Sequence, residues 1–294
     1  MAALNRLLAA TDFSAPARHA ADRAALIAKE AGASLDLVHV ASLAPLEKLR
    51  RFAAQIPMEL EQRVLDTARE ELRELAATLL QRHGVSAGVR VVSGPLLAQL
   101  AGQADAISAD LIILGAHGAS FMRHLLLGST AERMISRASR PMLVVKQTAH
   151  ERYRNVLVTV DFSPSSLPAL RNARALAPSA EIVLLHAFEV PFEGKLRFAG
   201  VDDDTVHHYR FAAKQEALQK LRALCDEAGL PQHDARLMVL HGDPSRHIIE
   251  QEQEQDCDLI AIGKHGESMA EDLLLGSVTR RVLTESQCDV LVSV

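Results

Sequence analysis

Two tandem α/β domains, each an open parallel sheet flanked by helices, are predicted by three observations. Short apolar runs alternate with helix-patterned stretches, the alternation occurs twice, and the two passes keep one spacing. The chain has 294 residues, 48% of them hydrophobic and 23% charged. That composition can fill a core in each half and excludes a disordered or fibrous chain.

Residues 4–10 form a short apolar run that ends at Thr11 and Asp12, read as the first strand. The alanine-rich stretch 15–31 has helical spacing and stops at Gly32, which readily takes the left-handed conformation of a helix end. Residues 34–40 read as a strand, 59–82 as a long helix ending before Gly84, and 88–92 as a third strand. Residues 96–108 are helical, 111–114 form a buried strand, 129–138 a last helix and 141–145 a last strand. The second half repeats the order. Strands this short, separated by helices, belong to βαβ units, whose parallel sheets are covered on both faces and read as unbroken apolar runs.

The repeat itself is explicit. D-L-I-I-L-G-A-H-G, from Asp110 to Gly118, is answered 148 residues later by D-L-I-A-I-G-K-H-G from Asp258 to Gly266. L-L-L-G-S, ending at Ser129, returns at the same offset ending at Ser277. Asp12-Phe-Ser pairs with Asp161-Phe-Ser at 149, His39 with His186 at 147, and Gly94 with Gly242 at 148. Markers spread across a whole half hold their offset to within a residue, so the chain is a duplicated domain, divided into 1–147 and 152–294.

Composition closes off several classes. Three cysteines, Cys225, Cys257 and Cys288, with no C-x-x-C spacing, support neither a disulfide framework nor a zinc ribbon and fit a reducing cytoplasm. The first residues lack the pattern of a signal peptide, and no apolar run approaches the roughly 20 residues of a membrane span. With 32 Lys and Arg against 37 Asp and Glu, 3% aromatic residues and no Trp, the chain lacks the basic, ring-bearing face of a nucleic-acid binder.

In open parallel sheets, ligands sit beyond the C-terminal strand ends, where strand order reverses. Past the fourth strand the chain reads Gly115-x2-Gly118-x9-Gly128-Ser129-Thr130, and in the second half Gly263-x2-Gly266-x9-Gly276-Ser277-Val278-Thr279. Glycines let a ligand approach the backbone, and Gly-Ser at a helix start presents N–H groups and a hydroxyl to an anion. This is phosphate-binding chemistry, and it occurs twice. Neither G-x4-G-K-S/T nor a G-x-G-x-x-G after the first strand is present, which argues against a P-loop NTPase and a nicotinamide dehydrogenase.

On these residues the chain resembles tandem universal stress proteins of the UspA type, in both copies and over essentially its whole length. Nucleotide-binding members carry G-x2-G-x9-G-S/T and an Asp closing the first strand, matched here by Asp12 and Asp161. The resemblance implies Rossmann-like, adenine nucleotide alpha hydrolase-like sheets of five parallel strands that bind ATP, or ADP or AMP, with Mg²⁺. It implies that Thr11 and Asp12, and Val160 and Asp161, hold the adenosine end, and that Val40 and Ala187 lie against adenine. The glycine loops with Ser129, Thr130, Ser277, Val278 and Thr279 would wrap the phosphates. A cytoplasmic stress-response protein with little or no turnover follows, with an unknown protein partner.

The halves differ in charge. Residues 1–147 hold 17 Lys and Arg against 14 Asp and Glu, a balance of +3, which leaves 15 against 23, or −8, for 148–294. The first glycine loop contains Arg123 and His124, the second Glu267, Glu271 and Asp272, so the second site is expected to depend more on a divalent cation.

Structural readings stand beside the functional ones. Asp12 and Asp161 could cap the following helix. His117 and His265 could contact phosphate or point to solvent, and His39 and His186 read as satisfied strand-end histidines. Asp202-Asp-Asp204 with His207 and His208 reads as a solvated helix start, and the cysteines as packing. Lys48-Leu-Arg50, repeated as Lys195-Leu-Arg197, reads as a packing arm or a basic latch. A rival to nucleotide binding is a scaffold whose apolar last strands pair across the halves, giving an intramolecular pseudo-dimer, as a monomer or within a homodimer.

Overall fold

The computed structural model describes residues 4–43, 58–118, 127–189, 202–266 and 275–294. The chain divides into two compact units, Ala3–Arg152 and Tyr153–Val294. The first runs β1 (Arg6–Ala10), α1 (Ala15–Ala31), β2 (Ser34–Ala41), α2 (Met58–His83), β3 (Ala87–Ser93), α3 (Leu96–Ala106), β4 (Leu111–Gly115), α4 (Ser129–Ser136) and β5 (Met142–Val145). The second runs β6 (Asn155–Thr159), α5 (Ser166–Leu176), β7 (Glu181–Phe188), α6 (Asp203–Ala228), β8 (Ala235–His241), α7 (Pro244–Glu254), β9 (Leu259–Gly263), α8 (Ser277–Glu285) and β10 (Asp289–Ser293).

Within the first unit the strands lie in the order β3-β2-β1-β4-β5, and within the second β8-β7-β6-β9-β10. Every pairing inside each unit is parallel. Leu7 pairs with Leu111 and Ala9 with Ile113, as Val156 pairs with Leu259 and Val158 with Ala261. Chain order therefore reverses between β1 and β4, and between β6 and β9, the crevice where such sheets receive ligands.

The β4, β5, β9 and β10 strands are buried along their length: Leu111–Leu114, Met142–Val145, Leu259–Ile262 and Asp289–Ser293 are all inside. The α1 helix presents Ala17, Ala20, Ala21, Ala24, Ala25 and Ala28 to the core, small side chains that let it lie close to the strands. Ser14 caps its start by accepting from the Ala17 N–H, and Gly32, at φ 67°, ends it. Most predicted ends shift by one or two residues, and two of the shifts have a local cause. The third helix stops at Ala106 because Ser108 turns to φ 51°. The last strand begins at Met142, since Pro141 has no N–H to give and joins the sheet only through its carbonyl, which accepts from Ile112.

Duplication extends to backbone strain. Phe13 and Phe162 sit at φ 65° and 63°, Ser108 and Asp256 at 51° and 48°, and Gly94 and Gly242 at 131° and 129°. Left-handed non-glycine residues are uncommon, and these recur at the offsets of the sequence repeat.

One buried polar contact secures the start of the second unit. The Tyr153 hydroxyl donates to Asp289 Oδ2 at 2.6 Å, with Tyr153 2% and Asp289 0% exposed. Tyr153→Phe is expected to lower the unfolding free energy by about 1.5–3 kcal/mol, the range for hydrogen bonds to charged groups. Urea unfolding measures this, and an unchanged midpoint would refute it.

Candidate functional site

Each unit holds a cavity at the crevice where its strand order reverses. In the first, the ends of β1 and β2, the α3 helix, the turn after β4 and the start of α4 enclose about 230 Å³. Thr11, Asp12, Val40, Gly115, Gly118, Gly128, Ser129 and Thr130 all line it. In the second, the equivalent elements enclose about 180 Å³, lined by Val160, Asp161, Ala187, Gly263, Gly266, Gly276, Ser277, Val278 and Thr279. Folding thus brings together, in two places, residues drawn from five separate segments of each half.

A sharp turn positions the aspartates. After β1 the chain passes through Phe13 in the left-handed region, and Asp12 Oδ1 accepts from the Ser14 N–H and the Ser14 hydroxyl. The turn is held from behind by His39, whose ring stacks on Phe13 at 4.4 Å. His39 Nδ1 lies 2.8 Å from the Thr11 carbonyl and must be the donor, because a carbonyl can only accept. The second unit repeats this: His186 Nδ1 donates to the Val160 carbonyl at 2.7 Å, with Phe162 and His186 ring centroids 4.5 Å apart. His39 and His186 are thus satisfied strand-end histidines that shape the turn.

The other carboxylate oxygen explains the second glycine of each loop. A Cβ on Gly118 would sit 2.7 Å from Asp12 Oδ2, and one on Gly266 3.1 Å from Asp161 Oδ2. A side chain at 118 would have to displace the Asp12 carboxylate, and one at 266 would press on that of Asp161. The third glycine closes the loop: Gly128 N–H donates to the Ala116 carbonyl at 2.9 Å, and Gly276 N–H to that of Lys264 at 3.1 Å. The α4 and α8 helices then begin with no side-chain cap, which leaves first-turn N–H groups available to an anion. Ser129 and Ser277 are exposed beside them.

The opposite wall is apolar. Val38, Val40 and Leu100 line it in the first unit, and Leu185, Ala187 and Ile248 in the second. Sequence reading named Val40 and Ala187 but missed their companions. The signals were available, since strand alternation links Val38 to Val40 and Leu185 to Ala187, and helical spacing carries Leu96 to Leu100. His117 also lines the first cavity. Burial, and then the Lys146 ammonium, lower the pKa of its imidazole from the ordinary histidine value.

A model of the universal stress protein family matches residues 4–146 and again 152–293. The chain belongs to the universal stress protein family. It is 32% identical over 143 residues to universal stress protein MJ0531 of Methanocaldococcus jannaschii, which covers 48% of this chain and 81% of that protein. To universal stress protein A homolog 1 of Coxiella burnetii it is 33% identical over 139 residues, covering 47% and 94%. Its fold is similar to that of a universal stress protein from Archaeoglobus fulgidus over 98% of both chains, with a TM-score of 0.70 at 19% identity.

The two stress-protein domains share a plan but not its bracing. Asp161 Oδ1 accepts from the Ser163 N–H, the Ser163 hydroxyl and, at 2.9 Å, the Ser166 hydroxyl, whereas the residue in place of Ser166 in the first domain is Ala17. The Ser165 hydroxyl donates to the His265 carbonyl at 3.0 Å, and Thr279 Oγ1 to that of Gly263 at 2.8 Å. Pro16 and Ala131 stand at those positions in the first domain. Hydroxyls therefore tie the second glycine loop to its surroundings, and Thr279 has its proton committed to the strand end.

The remaining sequence candidates divide. Asp202 caps α6, Oδ1 accepting from the Thr205 N–H at 2.7 Å and Oδ2 from its hydroxyl at 2.9 Å. Among the described residues no group of three or more His, Cys, Asp or Glu could hold a metal ion, and no helix is long and apolar enough to cross a membrane. All three cysteines are buried, and burial, aided by Asp258, Glu252 and Asp256, pushes the Cys257 thiol up to about 12. Lys48, Arg50, Arg123, His124, Lys195, Arg197, Glu267, Glu271 and Asp272 lie outside the described residues.

Proposed function

We propose that each domain binds one adenine nucleotide, ATP in the first instance, and that occupancy rather than turnover is the output of a stress-response regulator. The observation that carries this reading is the double juxtaposition of a carboxylate, an apolar slot and an uncapped helix start around one glycine loop. Val38, Val40 and Leu100 suit the faces of a purine, and their counterparts in the second domain have the same character. Asp12 and Asp161 suit the ribose hydroxyls, since an ionised carboxylate offers only acceptors. The N–H groups at the starts of α4 and α8, with Ser129, Thr130 and Ser277, suit the phosphates. Thr279 supports the loop through Gly263.

A magnesium ion fits this reading as a passenger of the triphosphate. Mg²⁺ usually keeps several waters and binds through phosphate oxygens, and here it would rest on those, because the one aspartate lining each cavity is assigned to the ribose in this reading. The test is a thermal-shift panel of ATP, ADP, AMP and GTP, with mass spectrometry of nucleotide released on denaturation. Saturating ATP at a hundred times its Kd is expected to add about 2.7 kcal/mol of stability per linked site. No adenine nucleotide released, and no adenine-specific rise in Tm, would overturn the proposal and favour a scaffold.

A further inference from the structure

We propose that the cleft between α3 and α4 of the first domain is a binding site for a small apolar carboxylate, separate from the nucleotide cavities and independent of their occupancy. The argument comes from comparing the two copies of one fold inside one chain. In the second domain, Glu252 on α7 is 4% exposed, and its Oε1 accepts from the backbone N–H groups of Gln287 and Cys288 at 2.7 and 2.6 Å. That carboxyl group fills the space between α7 and the turn after α8. At the same offset of 148 the first domain has Ala104, facing the turn at Ser139 and Arg140.

At that place the first domain has a cleft of about 270 Å³. Leu97, Ile112, Met134 and Met142 line its apolar part, with Ala104 at the position of the absent side chain. The charge at the rim has been exchanged as well. In the second domain Arg281 is neutralised by Glu285 at 2.9 Å and Asp243 at 3.6 Å. In the first, Arg133 replaces Arg281, Arg137 replaces Glu285 and Pro95 replaces Asp243. Arg133 and Arg137 are both exposed and have no carboxylate partner among the described residues. The third rim guanidinium, Arg140, is occupied by Asp105 at 2.6 Å and the Ala109 carbonyl at 2.8 Å. Where the second domain brings its own carboxyl group, the first offers an apolar slot and two guanidinium groups with no carboxylate partner among the described residues, the chemistry of an alkyl carboxylate site.

Hexanoate, with hexan-1-ol as the uncharged control, is the probe. Methyl-labelled methionine in the full-length chain reports on the cleft through Met134 and Met142. Hexanoate is expected to shift those two resonances saturably, and hexanol to bind at least about tenfold more weakly, as loss of one charge-assisted contact implies. Ala104→Glu, which supplies an internal carboxyl group, is expected to abolish the shifts. The exposed pair Arg133→Gln with Arg137→Gln is expected to weaken hexanoate at least about tenfold, and decides the matter should the alanine variant fail to fold. No saturable shift, equal binding of hexanol, or hexanoate affinity unchanged in the arginine pair would each overturn the site. None of these outcomes depends on nucleotide.

Discussion

Gly118→Asp and Gly266→Asp, made singly, are each expected to reduce ATP binding from about two per chain to about one, and together to remove the ATP-dependent rise in Tm altogether. A side chain at 118 starts 2.7 Å from Asp12 Oδ2, and one at 266 starts 3.1 Å from Asp161 Oδ2. A carboxylate there meets a like charge and occupies the path of the phosphates. The loss should reach about 2.7 kcal/mol of ligand-induced stabilisation at ligand concentrations a hundred times Kd. Calorimetric titration gives the stoichiometry, and binding at both sites in the double variant would contradict the placement of the nucleotide. The single variants also isolate each site for titration with and without Mg²⁺. The second site, whose loop sequence is acidic, is expected to show the larger dependence, and equal dependence would refute that asymmetry.

The second large effect lies away from the cavities. Glu252→Ala takes from the Gln287 and Cys288 N–H groups the acceptor both use. At about 1–3 kcal/mol for a buried donor so deprived, which applies to the Cys288 N–H, with a smaller cost at the part-buried Gln287 N–H, the variant is expected to lose about 1–3 kcal/mol. Glu252→Gln keeps an acceptor oxygen and should lose much less. Urea unfolding gives the magnitude, and amide exchange at residues 287–290 localises it. An alanine variant as stable as the parent would show that the turn has another means of support. The result bears on the first domain, where the same turn faces Ala104.

Much of this was legible before any coordinates. The glycine spacing, the strand-closing aspartates and the unbroken apolar runs of β4 and β9 are local patterns, and local patterns are what residue order records directly. The glycines, aspartates and hydroxyls picked out by those patterns line the two cavities, as do Thr11, Val40, Val160 and Ala187, which the family resemblance added. The left-handed Phe13 was not legible, since phenylalanine has no preference for that conformation. It is held there by His39, a residue 26 positions away on the neighbouring strand. Nor could Thr279 be recognised as a brace: in the motif it reads as a phosphate ligand, and only the nearness of Gly263 gives its proton another acceptor.

Sequence alone determined the duplication, the alternation of strands and helices, and the residue types gathered at the two loops, because periodicity and spacing are properties of the chain itself. Tertiary structure decided how the copies differ. A Ser166 that reads like any helix-start serine becomes a third donor to Asp161, and an Ala104 that reads like any helix alanine becomes the floor of a cleft because Glu252 shows what belongs there. The first depends on the turn that brings Asp161 back to a residue five positions on, the second on elements brought together from distant positions, and in each the hydrogen bond or void exists only once the surrounding elements have packed.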